Sequence, residues 1–156
     1  MTQTATIPAK LDVTPPRFVN STVKLLLRSP LHGVLSKSMT ILYFTGRRSG
    51  KAYQVPVQYM PDGDDIIVLS KRFRTWWKNF QDPAPLSLRL RGKTVPATAH
   101  ATTDDDAVAA MLSRFMAYDP RGAKFYDVPI DEAGQPDMAR VREIAPYIVS
   151  IRITLD

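Results

Sequence analysis

Residues 39–59 read MTILYFTGRRSGKAYQVPVQY, and this stretch carries a fold signal together with a chemical one. An apolar run, Met39–Phe44, is followed by the seven residues Thr45–Lys51, which hold three cations and two glycines, and a second strand-like run begins at Ala52. Glycine allows a backbone to turn sharply and to approach a ligand closely. Arginine offers a planar fork of donors to phosphate or carboxylate, and lysine a compact point charge. The stretch predicts two strands joined by a basic turn that binds an anion, although such a turn is also compatible with simple solvated surface.

Composition places the chain among ordinary globular proteins. Its 156 residues favour one domain, and 44% hydrophobic with 23% charged residues is a usual balance. No apolar run reaches the roughly 18 residues of a membrane-spanning helix, and the N-terminus lacks a secretory pattern. We therefore predict a loose tail over residues 1–14, a single domain over residues 15–156, and a cytoplasmic location.

Two residue types limit the possible chemistry. The chain has no cysteine, which excludes disulfides, thiolate metal sites and cysteine nucleophiles and fits a reducing compartment. Its two histidines, His32 and His100, are far apart, so we expect no histidine-based metal site.

Positive charge is concentrated in the first two thirds of the chain. Residues 1–101 hold fifteen Lys and Arg against five Asp and Glu, whereas residues 102–156 hold six against ten. The positive part should attract nucleic acid, anionic lipid or a polyanionic cofactor. We expect no nucleic-acid binding, because neither a groove-reading element nor a known binding module is visible.

The periodicity predicts a mainly β, α+β protein. An amphipathic basic helix is predicted over residues 17–36, either covering the core or lying on an anionic membrane surface. A second helix is predicted over 103–117, with Thr102 or Thr103 as its N-cap and three aspartates in its first turn. Apolar alternation predicts strands at 39–45, 52–60, 65–70, 86–91, 94–101 and 147–155. Six short strands with tight turns favour an antiparallel barrel or curled sheet, and residues 119–137 a mobile or lid-like connection.

A second chemical cluster follows the third predicted strand. That strand ends in Ser70-Lys71-Arg72, and the sequence WWKNF follows at Trp76–Phe80. Cations interleaved with aromatic rings suit single-stranded nucleic acid, or a cofactor with a flat ring system and a charged tail. The alternative is that the tryptophans belong to the core.

In order along the chain, TGRRSGKAYQVPVQY, DGDDIIVLSK, WWKNF and LSLRLRGKTVPATA resemble the deazaflavin-dependent nitroreductase family, whose members are split β-barrels related to the FMN-binding split barrels. The resemblance runs from about Met39 to Ala101. It implies a split β-barrel and a reductase that uses the reduced 8-hydroxy-5-deazaflavin coenzyme F420. The implied hydride acceptors are quinones, enones, nitro compounds or other activated alkenes.

The same resemblance implies roles for individual residues. The phosphate and poly-glutamate tail of the coenzyme would be held by Arg47, Arg48 and Lys51 with the amides of Ser49 and Gly50. The deazaflavin and its ribityl-phosphate arm would be lined by Pro56, Val57, Ser70 and Lys71, and Trp77 and Asn79 would close over the site.

Two departures from the family pattern concern the acceptor. The connection Arg72–Thr75 is shorter than in many members and is similar to a subgroup linked to membrane-associated or unsaturated fatty-acyl substrates. Tyr118 and Tyr126 fall where some members place tyrosines near the acceptor, but the local sequence differs. They are candidate proton donors or substrate contacts, with core packing as the alternative.

Three questions stay open at the level of the sequence. One alternative keeps the fold and replaces the coenzyme with FMN. Another is a non-catalytic carrier that binds deazaflavin or lipid. The fold is compatible with a monomer or a homodimer.

Overall fold

A computed structural model describes residues 39–90 and 92–156, apart from the side chains of Lys124 and Phe125. In this part of the chain seven antiparallel strands form one sheet, in the order β2-β1-β5-β6-β7-β4-β3. The strands are β1 (Met39–Thr45), β2 (Ala52–Gln58), β3 (Met60–Asp62), β4 (Asp65–Lys71), β5 (Ala84–Leu90), β6 (Lys93–Thr102) and β7 (Ile148–Leu155). The α-helices are α1 (Asp105–Tyr118), the single turn α2 (Ala123–Tyr126) and α3 (Met138–Ile144).

The sheet curls because its two edge strands are almost continuous in sequence. Only Tyr59 separates β2, which pairs with β1, from β3, which pairs with β4. The two edges must therefore meet at this residue while the other strands pass around the core. This is the predicted split barrel, with seven strands rather than six, since the predicted strand 52–60 changes partner at Tyr59.

Alternation along each strand divides the side chains between a barrel interior and an outer face. The interior contains a large hydrophobic cluster, to which every strand except β3 contributes a buried or partly buried residue. Its fully buried members are Leu42, Val68, Leu88, Ala99, Val149, Ile151 and Ile153. Burying one such large aliphatic side chain is worth about 1.5–3 kcal/mol, so this cluster is the main source of stability.

Helix α1 covers the outer face of β4 and β7. Ile67 packs there against Phe115, and a surface network closes the edge, in which Asp62 accepts hydrogen bonds from Arg114 at 2.5 Å and Arg152 at 2.8 Å. These bonds, that from Arg114 first, lower the pKa of the Asp62 carboxyl. The predicted helix is confirmed, but its predicted cap is wrong. Strand β6 continues to Thr102, and the helix begins only at Asp105. Its N-cap is Asp104, whose side chain accepts the N–H of Ala107 at 3.0 Å.

The connection 119–137 is built of hydrogen-bonded turns rather than an open loop. Asp131 accepts the N–H groups of Ala133 and Gln135 at 2.9 and 2.8 Å, and Ile130 forms a bridge with Pro136. Val128 is buried in the cluster formed by α1 and α3. The segment therefore has defined turns and is anchored to the domain at Val128, and its mobile or lid-like character stays a prediction.

Part of the prediction falls beyond this description. The tail over 1–14 and the basic helix over 17–36 lie outside the described residues. None of the helices in the described ranges has the length and apolar character needed to cross a membrane.

Candidate cofactor site

Strand register brings the predicted site segments to one end of the barrel. Thr45 pairs with Ala52, Ala84 with Ala99, and Lys71 with Ile148. These pairs place the basic turn 46–51, the connection 72–83 and the start of α1 at the same end, which we call the basic end. Residues distant in sequence thus become neighbours, because in an antiparallel sheet the end of one strand lies beside the start of the strand that pairs with it.

The basic turn has a closed backbone geometry. Gly46 donates its N–H to the carbonyl of Lys51 at 2.7 Å, and Gly50 donates to the carbonyl of Gly46 at 3.0 Å. Gly50 has φ +68°, a region in which glycine has no steric penalty. Arg47, Arg48 and Lys51 are exposed around this frame. The turn therefore presents three cations on a backbone that is already folded.

The amide donors of the turn differ in part from those that the family pattern implied. The amide of Gly50 already bonds to Gly46, and the amide of Lys51 donates to the Ser49 hydroxyl at 3.2 Å. Within the described part of the chain, no hydrogen bond engages the amides of Arg48 and Ser49. The Gly50 amide is therefore used within the turn itself.

The short 3₁₀ helix Trp76–Phe80 is joined to the turn by a side chain. Asn79 Oδ1 accepts the backbone N–H of Arg47 at 2.7 Å, and Asn79 Nδ2 donates to the carbonyl of Trp76, also at 2.7 Å. The Arg47 guanidinium lies 3.7 Å from a carboxylate oxygen of Asp82. Since both members of this ion pair are largely exposed, it contributes little to stability and leaves the guanidinium accessible.

An aromatic cluster of Phe44, Tyr53, Trp76 and Phe80 packs next to the turn. Phe44 stacks on Tyr53 with ring centroids 5.5 Å apart, and it packs edge-on against Phe80 at 5.1 Å and tilted against Trp76 at 6.2 Å. The Tyr53 hydroxyl lies 3.3 Å from the Ser49 hydroxyl. Such ring pairs contribute about 0.5–1.5 kcal/mol each beyond their buried area.

Tyr53 was missed by the sequence reasoning. Alternation places it on the same face as Val55 and Val57, which is the signal that would have found it. The residue is 40% exposed, so it adds an accessible aromatic side chain directly beside the cations.

On the other side of the basic end, Ser70 and Lys71 point to opposite faces. Ser70 is buried on the interior side of β4, whereas Lys71 follows the outer face, as successive strand residues must. Trp77 is buried as well, and its Nε1 donates to the carbonyl of Arg72 at 3.2 Å. The core alternative therefore holds for Trp77, whereas Trp76 is only partly buried against the same cluster.

Pro56 and Val57 lie lower on β2. Val57 faces the interior and Pro56, paired with Ile41, faces outward. At about 3.3 Å per residue, Val57 is roughly 20 Å along the strand from Lys51. A single ligand that contacts both Lys51 and Val57 must therefore be long and lie along β2.

The two candidate tyrosines lie on different helices, because Tyr118 is the last residue of α1 and Tyr126 ends the short turn α2 that follows. Helix α1 begins near the basic end, where Asp105 lies 3.6 Å from Arg72, and its Arg114 reaches Asp62 at the other end of the barrel. Tyr118 follows one turn later and is 51% exposed. Tyr118 therefore does not lie with the other predicted site residues.

Tyr126, in contrast, lies close enough to Arg74 to sense its charge. Burial raises the pKa of Tyr126 to about 12, and the Arg74 cation opposes this rise. By surface area Tyr126 is partly buried, packed against the cluster formed by α1 and α3. At neutral pH the phenol is protonated and able to donate a hydrogen bond.

Within residues 39–90 and 92–156, no group of three or more His, Asp or Glu side chains is placed to hold a metal ion. The candidate site is thus defined by the cations, amides and aromatic rings of the basic end.

The sequence matches the model of a known protein family. Residues 28–127, nearly two thirds of the chain, match the family described as F420H(2)-dependent quinone reductase. The chain belongs to this family. The predicted family, the oxidoreductase class and the coenzyme F420 are thereby confirmed.

Solved structures show the same fold at low sequence identity. One, described as a domain-swapped dimer, is 16% identical with a TM-score of 0.51 and covers 85% of this chain and 93% of its own. The protein Atu2129 of unknown function from Agrobacterium tumefaciens is 14% identical with a TM-score of 0.51, over 94% of this chain and 60% of its own. The FAD and heme binding protein from Mycobacterium smegmatis is 12% identical with a TM-score of 0.50. It covers 83% of this chain and 67% of its own. No curated protein matches the sequence.

Proposed function

We propose that this family member takes hydride from reduced F420 and passes it to an activated hydrophobic acceptor. The acceptor class comprises quinones, enones, nitro compounds and unsaturated fatty-acyl groups. The observation that carries the proposal is the basic end itself. Three exposed cations and an accessible tyrosine residue lie there on a turn whose backbone is already hydrogen-bonded, beside the amides of Arg48 and Ser49, which no hydrogen bond engages within residues 39–90 and 92–156.

The residues present fit the coenzyme at both of its ends. Arg47, Arg48 and Lys51 suit phosphate and carboxylates, with the amides of Arg48 and Ser49 as further donors. Toward the barrel, the flat ring system would lie along β2, near Pro56 and Val57, with its arm passing the Ser70-Lys71 strand end. Trp77 would border the site, and Asn79 would act on it through the turn.

When bound, the deazaflavin supplies the hydride, so this chain need supply only position, exclusion of water and hydrogen bonds. The turn would fix the tail, and the barrel edge would orient the ring. Tyr126 is the better of the two candidates to donate a hydrogen bond to an acceptor oxygen, because it lies near Arg74 in the connection 72–83, whereas Tyr118 lies beyond Arg114 on α1. Tyr118 remains a residue for comparison.

A small-molecule hydrophobic substrate, a cytoplasmic location, peripheral contact with an anionic membrane and a monomeric or homodimeric state remain predictions. The membrane contact rests on residues 17–36, whose basic amphipathic pattern suits an anionic surface.

The proposal is tested by titrating the protein with oxidised F420 and reading the quenching of tryptophan fluorescence, with FMN in parallel. We expect saturable F420 binding that weakens with salt, because the tail contacts are exposed charges. Preference for FMN would transfer the protein to the flavin branch of the fold, and absence of binding would refute the proposal.

Turnover separates an enzyme from a carrier. Reduced F420 should be oxidised in the presence of at least one member of a panel of quinones, enones, nitro compounds and unsaturated fatty-acyl esters. Tight binding with no oxidation across the panel would favour the non-catalytic carrier.

A further inference from the structure

Asn79 has its amide group engaged at both ends. Its oxygen accepts the Arg47 N–H and its nitrogen donates to the Trp76 carbonyl, each at 2.7 Å. A backbone N–H can only donate and a carbonyl can only accept, so these partners fix the orientation of the amide. The side chain is therefore held in place by two short hydrogen bonds before any ligand is bound.

The two partners belong to different parts of the proposed site. Arg47 begins the basic turn, and Trp76 begins the 3₁₀ helix that carries Trp77. Asn79 and Arg47 are 32 residues apart in sequence, so no local backbone constraint sets their separation. A side chain in this position can link the movement of the turn to that of the helix.

We propose that Asn79 is a positioning residue that docks the basic turn onto the Trp76–Phe80 helix. It acts on the coenzyme tail through Arg47 rather than by contacting the ring. The identity of the ligand rests on the proposed function, whereas the docking of the turn does not.

Apolar contacts between the same two segments define what Asn79 adds. Phe44, which leads into the turn, packs against Phe80 and Trp76, and these rings hold the segments at a fixed distance. Ring packing alone does not set the direction of an amide at the turn. The hydrogen bond to Arg47 does so, at the residue that directly precedes Arg48 and Ser49.

The test compares Asn79→Ala with Gln81→Ala, which removes a similar side chain from an exposed position just after the helix. Two ligands are titrated: F420, and 8-hydroxy-5-deazaflavin with its ribityl chain but without phosphate or glutamates. Asn79→Ala should weaken F420 binding roughly fivefold to tenfold, as expected for one lost hydrogen bond, and leave the tail-less ligand within about twofold. Gln81→Ala should change neither.

Two readouts on the apo-protein make the outcome independent of the coenzyme. Amide hydrogen exchange should show a protected Arg47 N–H in the wild type and a faster-exchanging one in Asn79→Ala. A titration with inorganic phosphate, followed by the amide NMR shifts of Arg48 and Ser49, should show weaker binding in the variant.

The possible results are distinct. Equal losses for F420 and the tail-less ligand, with Arg47 protection unchanged, would mean that Asn79 contacts the ring and would overturn the proposal. Unchanged Arg47 exchange and unchanged phosphate binding would overturn it as well. If wild-type protein bound neither deazaflavin, the proposed function would fail, and the exchange and phosphate results would still decide the role of Asn79.

Discussion

The guanidinium of Arg72 donates two hydrogen bonds to the carbonyl of Ile148, from Nη2 at 2.9 Å and from Nε at 3.2 Å. Nη2 also reaches the carbonyl of Thr103 at 3.0 Å, and the backbone N–H of Arg72 donates to Tyr147 at 2.7 Å. Its own carbonyl receives the Trp77 indole N–H. Arg72 therefore joins the ends of β4, β6 and β7, and it holds one wall of the candidate site.

This arrangement predicts that Arg72→Lys is destabilising despite the retained charge. A lysine cannot reproduce the planar fork, and hydrogen bonds to charged groups contribute about 1.5–3 kcal/mol. We expect a loss of about 2 kcal/mol in the free energy of unfolding, measured by urea denaturation. Arg142→Lys, at an exposed site on α3, should be neutral. Equal stability of the two variants would show that Arg72 is not a structural joint.

Neutralising the turn should separate binding from stability. The double variant Arg47→Gln/Lys51→Gln removes two charge-assisted contacts to the coenzyme tail, and we expect F420 binding to weaken by about 2–4 kcal/mol. The free energy of unfolding should change by no more than about 0.5 kcal/mol, because both residues are exposed.

The control for that variant carries the same change in net charge. Lys93→Gln/Arg142→Gln alters two exposed cations outside the basic end and should leave F420 affinity within a small factor of wild type. If both double variants weakened binding equally, the overall charge of the protein, and not the turn, would govern affinity.

Tyr126 should control part of the alkaline stability. Its pKa is raised by burial to about 12 in the folded protein, against an ordinary value of 10.0. Between these two values the unfolded phenol ionises while the folded one keeps its proton, so stability falls as pH rises through this window. The full loss is roughly 2–3 kcal/mol for a shift of this size.

Tyr126→Phe cannot ionise and should lack that part of the decline. The measurement is the free energy of unfolding as a function of pH, with Tyr118→Phe as the control because Tyr118 is largely exposed. Identical alkaline slopes for wild type and Tyr126→Phe would show that the phenol is not buried in solution.

The strands were predictable because their signals are local. Alternation in β7 separates Val149, Ile151 and Ile153 from Ser150 and Arg152, and the structure places the first group in the interior. The break at Tyr59 was not predictable in this way, because both sides of it are extended and only the choice of pairing partner changes. Helix α3 was missed because its seven residues give too short a periodic pattern.

The candidate site was predictable as a set of residue types, and less so as an arrangement. The basic turn and WWKNF stand out by composition, and strand register, which no local pattern reveals, brings them together. The engagement of the Asn79 side chain depends on the distance between two segments, and that of the Gly50 amide on the closed geometry of the turn. The sequence likewise does not distinguish Tyr118 from Tyr126, whereas the length of α1 places Tyr118 beyond Arg114 and away from the basic end.

The two glycines of the turn should respond differently to substitution. A Cβ at Gly46 would lie 2.5 Å from Ser49 Oγ and 2.8 Å from Tyr53 Cε2, so Gly46→Ala must displace the Ser49 hydroxyl, which accepts the Lys51 N–H, and the Tyr53 ring beside it. A Cβ at Gly50 meets no heavy atom within 4 Å, but its φ of +68° strains any residue with a side chain.

We therefore expect Gly46→Ala to weaken F420 binding about tenfold with only a small loss of stability, because the displaced side chains are exposed. Gly50→Ala should cost about 1–2 kcal/mol of stability, and Gly50→Asn less, since asparagine adopts the left-handed region more readily. Calorimetric affinities and urea unfolding on the three variants decide the matter. Wild-type affinity in Gly46→Ala would mean that the Ser49–Tyr53 pair does not hold the turn in its binding geometry.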